Sequence, residues 1–248
     1  KLSVVIITFN EERNLPRCLE SLKGIADEIV VVDSYSTDTT RAIAEAHGAR
    51  FIEHPFEGHI QQKNYAMGCA SNDLILSLDA DEALNSTLRD SILGIKENNP
   101  EQGYSMNRLT NYCGHWVRHC GWYPDTKVRL IRKGCGTWAG VNPHDRLDLP
   151  HGVRPVHLLG DILHYSYYTL DDHRKQIEYF GDIAAQELRG AGKGISWPMI
   201  MLKVAAQFIK SYGPVTRVIN VWDMLAVLLV GPIDPATKRG LFGSLLVN

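Results

Sequence analysis

The hydrophobic positions of the first hundred residues alternate between two periods. Leu2 to Thr8 is a short β-branched run, which reads as a buried strand. Between Glu11 and Leu22, the residues Leu15, Cys18, Leu19 and Leu22 fall at helical spacing. Pro16 fits the first turn of that helix, where a missing N–H costs nothing. Glu28 to Asp33 predicts a second strand, Thr39 to His47 a helix that Gly48 stops, and Ala49 to Glu53 a third strand. His59 to Ala70 predicts a helix, Asp73 to Asp79 the fourth strand, and Asn85 to Asn98 a helix ending before Pro100. Strands alternating with helices of this length imply βαβ units and a mainly parallel sheet, with ligand at the strand C-termini.

From Gly103 to Leu163 the strands look shorter, the loops are longer, and Trp, Tyr, His and Arg are frequent. From Leu170 the pattern turns helical, over Leu170 to Arg189, Ser196 to Tyr212 and Val215 to Val230. The expected organisation is a catalytic domain over residues 1–168 and a helical extension over 169–248. Length and composition agree with this: 248 residues, 44% hydrophobic and 22% charged, describe an ordinary folded chain. A formal net charge of −2 argues against nucleic acid as the partner. Five cysteines without paired spacing suggest reduced thiols and a cytosolic setting. No signal peptide is read at the start, and no uninterrupted apolar run is long enough to span a bilayer.

Three strand ends carry polar clusters: Thr8 to Glu12, Asp33 to Asp38, and Asp79-Ala80-Asp81-Glu82. The last is the sharpest signal, because crowded carboxylates repel one another unless a cation lies between them. A divalent cation on a phosphorylated ligand supplies that charge, using one or two carboxylates. Asp33 could hydrogen-bond a nucleobase or ribose, or shape its own turn. Lys63 could neutralise a phosphate and Asn64 orient a ribose, or both could lie on a solvated helix face. Arg129 is a candidate for pyrophosphate, which a guanidinium binds bidentately. Trp122 and Tyr123 could stack on an acceptor sugar or pack in a core. The chain has neither the GxGxxG fingerprint nor a Walker A lysine loop. The Cys113–Cys120 segment holds two Cys and two His without a usual zinc spacing.

Ser3 to Glu11, Ile29 to Ser34, Gln62 to Ala66 and Asp79 to Glu82 resemble a family 2 glycosyltransferase of the GT-A fold. Gly121 to Leu130, Pro143-His144-Asp145 and Leu163 to Tyr167 resemble its lipopolysaccharide-core glucosyltransferase group. The resemblance covers roughly residues 2–190, with its motifs in order. It implies an α/β, Rossmann-like sheet flanked by helices. It implies that Thr8, Asn10 and Glu11 line the nucleotide pocket, with Asp33 on the base and Asp79 on the ribose side. Asp81 would ligate Mg²⁺ or Mn²⁺, with His164 completing the metal site or touching the diphosphate. Asp145 stands where the family has Glu and would be the general base, with Asp125 as the runner-up. Tyr35 and Thr39 replace family glycines.

The resulting expectation is inverting transfer from a nucleotide-sugar donor, UDP-glucose or similar, to a hydroxyl of a lipid-linked or lipopolysaccharide-type glycan. A catalytically silent GT-A-like membrane scaffold and a sugar-phosphate nucleotidyltransferase are the alternatives. The basic, apolar C-terminal segment suggests either a peripheral seat on the cytoplasmic face of a membrane or packing on protein, including a second copy of the chain.

Overall fold

Strand β1 (Leu2–Thr8) shows in its side chains why the sheet is covered on both faces. Leu2, Val4 and Ile6 belong to one apolar cluster and Val5 to another, because successive side chains of a strand point to opposite faces. Helix α1 (Leu15–Ser21), strand β2 (Glu28–Asp33), helix α2 (Thr40–Ala46) and strand β3 (Arg50–Glu53) follow. Next come helix α3 (His59–Cys69), strands β4 (Leu74–Asp79) and β5 (Glu82–Leu84), and helix α4 (Ser86–Glu97). Strands β6 (Gly103–Tyr112), β7 (His115–Trp116), β8 (Asp125–Arg132), β9 (Thr137–Val141), β10 (His144–Asp148) and β11 (Val156–Tyr167) precede helix α5 (Leu170–Gly190). This computed structural model describes residues 1–97, 102–119, 121–141 and 144–190, with Leu202. The sequence-derived helices over 196–212 and 215–230, and the membrane and oligomer readings built on them, lie outside the described residues.

The main sheet runs β3-β2-β1-β4-β8-β6-β11-β5, with β7 paired to β6, and β9 and β10 form a separate hairpin. The β3-β2-β1-β4 half is parallel, while β8 is antiparallel to β4 and to β6, and β11 is antiparallel to β5. The sheet is therefore mixed: an α/β half with the geometry of βαβ units, extended by an antiparallel half. Residues of α1, α2 and α4 (Leu15, Leu19, Ala44, Leu88, Ile92) pack in the cluster with Leu2, Val4 and Ile6. Ala66 and Met67 of α3 pack with Val5, Trp138 and Leu147, so α3 and the β9–β10 hairpin cover the other face. That shared cover places the hairpin beside α3.

Two local features follow from backbone conformation. Helix α1 starts at Leu15 rather than Glu11, because Asn10 adopts a left-handed φ of 54° and the chain turns before Pro16 can enter the helix. Gly160 of β11 has φ 97°, and a Cβ there would collide with the backbone of Leu88 at the start of α4. The chain divides into two compact units, residues 1–110 with 124–165, and 111–123 with the segment from 166 onward. The second unit thus takes in an insertion from the middle of the chain as well as α5. No helix among the described residues is long and apolar enough to cross a membrane.

Candidate active site

Three parallel strands end in register. Thr8 pairs with Asp33 across β1 and β2, and Ile7 pairs with Asp79 across β1 and β4. The polar strand ends therefore share one edge of the sheet. Asp33 accepts hydrogen bonds from the Thr8 hydroxyl at 2.7 Å and from the backbone N–H and hydroxyl of Ser36, both at 2.6 Å. It closes its own turn and is 1% exposed. Asn10 accepts from the Thr37 N–H at 2.9 Å, and its own N–H donates to Ser36 at 2.7 Å. The loops after β1 and β2 are thereby tied together. Tyr35, at the tip of the second loop, is 54% exposed with a left-handed φ of 61°. This is the backbone state that a glycine tolerates best.

The Asp79–Glu82 loop holds its charges by inward pairing. Glu82 is 1% exposed and accepts the Asp79 N–H at 3.0 Å, bending the loop back on itself. Arg129 of β8 donates to Glu82 at 2.8 Å and to Asp79 at 3.0 Å. Burial alone would push the Asp79 carboxyl up, but Lys63 and Arg129 outweigh it and hold Asp79 far below the ordinary carboxylate range. Arg129 is pushed up in turn, since Glu82 and Asp79 more than offset its burial. Its guanidinium also lies over the Trp138 ring, 5.0 Å from the centroid. The arginine expected at pyrophosphate is thus a buried brace of the acidic loop.

Helix α3 joins this loop to the hairpin. Gln62 donates through Nε2 to Ser34 at 3.1 Å and accepts through Oε1 from His54 Nδ1 at 2.9 Å, steadying the turn after β2. Asn64 exchanges two hydrogen bonds of 2.9 Å with the backbone of Trp138, clamping β9. Between them, Lys63 is 5% exposed and donates to Asp145 at 2.6 Å and Asp79 at 3.0 Å. Its ammonium sits 4.3 Å from the Trp138 ring centroid. None of the three lies on a solvated helix face.

Strand β11 supplies His164. It pairs opposite Glu82 in β5, and the N–H of Tyr165 donates to the Asp81 carbonyl at 2.9 Å. That register brings His164 Nε2 to 3.2 Å from the Asp81 carboxylate. Burial pushes Asp81 up, and the imidazole more than compensates, keeping it below the usual range. Glu11 is raised to about 7, chiefly by burial, and further by the charges of Asp81 and Asp79. Among the described residues, no group of three or more His, Cys, Asp and Glu side chains converges as a ready metal cage. Asp81 and His164 are the side chains here that could hold a cation whose remaining ligands are phosphate and water.

The structure thus gathers Thr8, Asn10, Glu11, Asp33, Lys63, Asn64, Asp79, Asp81, Arg129, Asp145 and His164 into the first unit. Asp125 is also there, but Arg108 at 2.8 Å and Lys127 at 2.9 Å engage its carboxylate. Trp122 and Tyr123 belong to the second unit. Trp122 packs edge-on against Tyr112 at 5.8 Å, and Arg118 lies 5.4 Å from the Tyr123 ring centroid. Sequence reasoning missed Gln62 and Trp138 as organising residues, while Glu82 was read as a support of its loop and is one. Gln62 stood inside a quoted motif, while Trp138 carried no local signal.

With this geometry in view, comparison with known proteins places the chain. Residues 3–134 match the model of glycosyl transferase family 2. An uncharacterized glycosyltransferase of Rickettsia bellii is 48% identical over 86% of this chain and 76% of its own length. The lipopolysaccharide core biosynthesis glycosyltransferase LpsC of Rhizobium meliloti is 28% identical over 85% of this chain and 80% of its own. A solved structure of glucosyl-3-phosphoglycerate synthase from Mycobacterium tuberculosis with Mn2+ and UDP-glucose overlays at a TM-score of 0.37 and 25% identity, over 45% of this chain and 44% of that one. A chain with this match to the family model, and this identity to relatives along most of their length, belongs to glycosyl transferase family 2.

Proposed function

We propose that this glycosyltransferase moves a sugar, with inversion, from a nucleotide-sugar donor such as UDP-glucose to a hydroxyl of a lipid-linked or lipopolysaccharide-type glycan. The observation that carries the reading is that one ammonium, Lys63, meets both Asp145 at 2.6 Å and Asp79 of the donor edge at 3.0 Å, although the two acids are far apart in the sequence. A base for the acceptor and an acidic edge for the donor diphosphate are the two things this chemistry needs. The similarity to LpsC supports the acceptor class.

In this mechanism Asp145 takes the proton of the acceptor hydroxyl as the oxygen attacks the anomeric carbon. The nucleoside diphosphate leaves from the opposite face. Asp81 and His164 would hold Mg²⁺ or Mn²⁺, which supplies Lewis-acid stabilisation of the leaving diphosphate. Asp79, Asn10, Glu11 and the Thr8–Asp33 pair frame the nucleotide side. Asp145 is preferred to Asp125 as base because two cations already engage Asp125. No covalent intermediate is required.

The test is UDP release from UDP-glucose in the presence of Mn²⁺ and deacylated lipopolysaccharide core oligosaccharide. Asp145→Asn should lower turnover by about 10²–10⁴-fold, the usual contribution of a positioned base. A folded Asp145→Asn protein with wild-type turnover refutes the base. Failure of the wild-type protein to release UDP refutes the donor and acceptor assignment.

A further inference from the structure

We propose that Lys63 is the positioning residue of the reaction, holding Asp145 in register with the donor edge at Asp79. The inference rests on the reading of Asp145 as the base. It starts from a topological fact: among the described residues, Asp145 lies on a two-stranded hairpin that shares no ladder with the main sheet. Backbone hydrogen bonds of the main sheet therefore do not set the distance between this carboxylate and the end of β4. Helix α3 sets it instead. Asn64 fixes the backbone of β9 at Trp138, opposite Leu147 of β10, and Lys63 fixes the carboxylate itself.

Three features distinguish Lys63 from a lysine waiting for phosphate. The residue is 5% exposed, so it is not held ready in solvent. Two of its three donor directions are occupied, by Asp145 at 2.6 Å and by Asp79 at 3.0 Å. The Trp138 ring covers it, 4.3 Å from centroid to nitrogen. Among the described residues, Lys63 is the one hydrogen-bond partner of the Asp145 carboxylate. One buried ammonium thus bridges the carboxylate of the base to a carboxylate of the donor edge. A bridge of this kind holds reacting groups in a near-attack arrangement, and small displacements there lower rates steeply.

The experiment compares Lys63→Met, Lys63→Arg, Asp145→Asn and the Lys63→Met/Asp145→Asn double variant. Turnover is read as UDP release from UDP-glucose with Mn²⁺ and core oligosaccharide, and UDP affinity by calorimetry with Mn²⁺. Lys63→Met should lower kcat by about 10²-fold, while donor KM and UDP affinity change by less than about threefold. Lys63→Arg, which keeps a charged donor for both carboxylates, should recover most of kcat. The double variant should be no slower than Asp145→Asn by more than about threefold, because Lys63 acts through that residue. If Lys63→Met does not fold, Lys63→Gln, whose shorter side chain does not reach both carboxylates, should show the same split. A rise in donor KM and loss of UDP affinity of tenfold or more, with kcat retained, overturns the assignment in favour of a phosphate contact. Multiplicative losses in the double variant overturn it as well. If Asp145→Asn alone is fully active, the proposed base fails first and takes this inference with it.

Discussion

Replacing Arg129 by Met tests whether the acidic loop is held by a buried brace. The Glu82 side chain is 0% exposed and that of Arg129 is 4% exposed, and they meet at 2.8 Å. Removing one partner of a buried pair leaves an uncompensated charge, at a cost of about 3–5 kcal/mol. Asp79 keeps Lys63 at 3.0 Å, and Glu82 keeps the Asp79 N–H and the more distant Arg108 at 3.8 Å. The lower end of that range, about 3 kcal/mol, is therefore expected. Urea unfolding followed by tryptophan fluorescence measures it. With a slope of about 2–3 kcal/mol per molar, the midpoint should fall by about 1–1.5 M. Adding Glu82→Gln should return part of the loss, because the stranded charge is then gone. A midpoint shift below about 0.3 M, or a double variant whose losses simply add, would refute the brace. Loss of UDP affinity at unchanged stability would return Arg129 to the pyrophosphate.

Gly160→Ala should destabilise by at least about 3 kcal/mol, visible as loss of soluble protein, since φ is 97° and the added carbon would lie 2.6 Å from Leu88 Cα. Glu11 titrates at about 7 when folded, above its ordinary value of 4.5, so its contribution is fully present below pH 4.5 and is lost as pH rises through 7. Melting temperatures in EDTA should therefore fall from pH 5 to 8 in the wild-type protein and fall less in Glu11→Gln; parallel slopes would contradict this. Tyr35→Asn should raise stability by about 0.5–1 kcal/mol, because asparagine tolerates the left-handed backbone that Tyr35 adopts at 61°. An unchanged denaturation midpoint would show that the tyrosine ring makes up the difference.

Much of the α/β half was legible because burial imposes a period. β-branched runs such as Leu2–Thr8 and Glu28–Asp33 formed strands, and the polar residues that ended them mark one sheet edge. The motifs around Thr8, Asp33, Gln62 and Asp79 could be quoted from the chain alone, and with them the family. The antiparallel half was less legible, since its strands are placed by pairing and not by local pattern. β5, next to β4 in sequence, lies at the far edge of the sheet beside β11.

The sequence by itself determined which apolar runs are buried in the parallel half, where its strands stop, and which acidic and basic groups the site has to draw on. Only the tertiary structure decided which charges meet. Lys63 joins Asp79 to Asp145, Arg129 joins Asp79 to Glu82, and His164 reaches Asp81 through the register of β11 with β5. Periodicity records the environment of each side chain separately, whereas an ion pair depends on the distance between two groups. For residues many tens of positions apart, that distance is set by sheet order and helix packing, which no local pattern encodes.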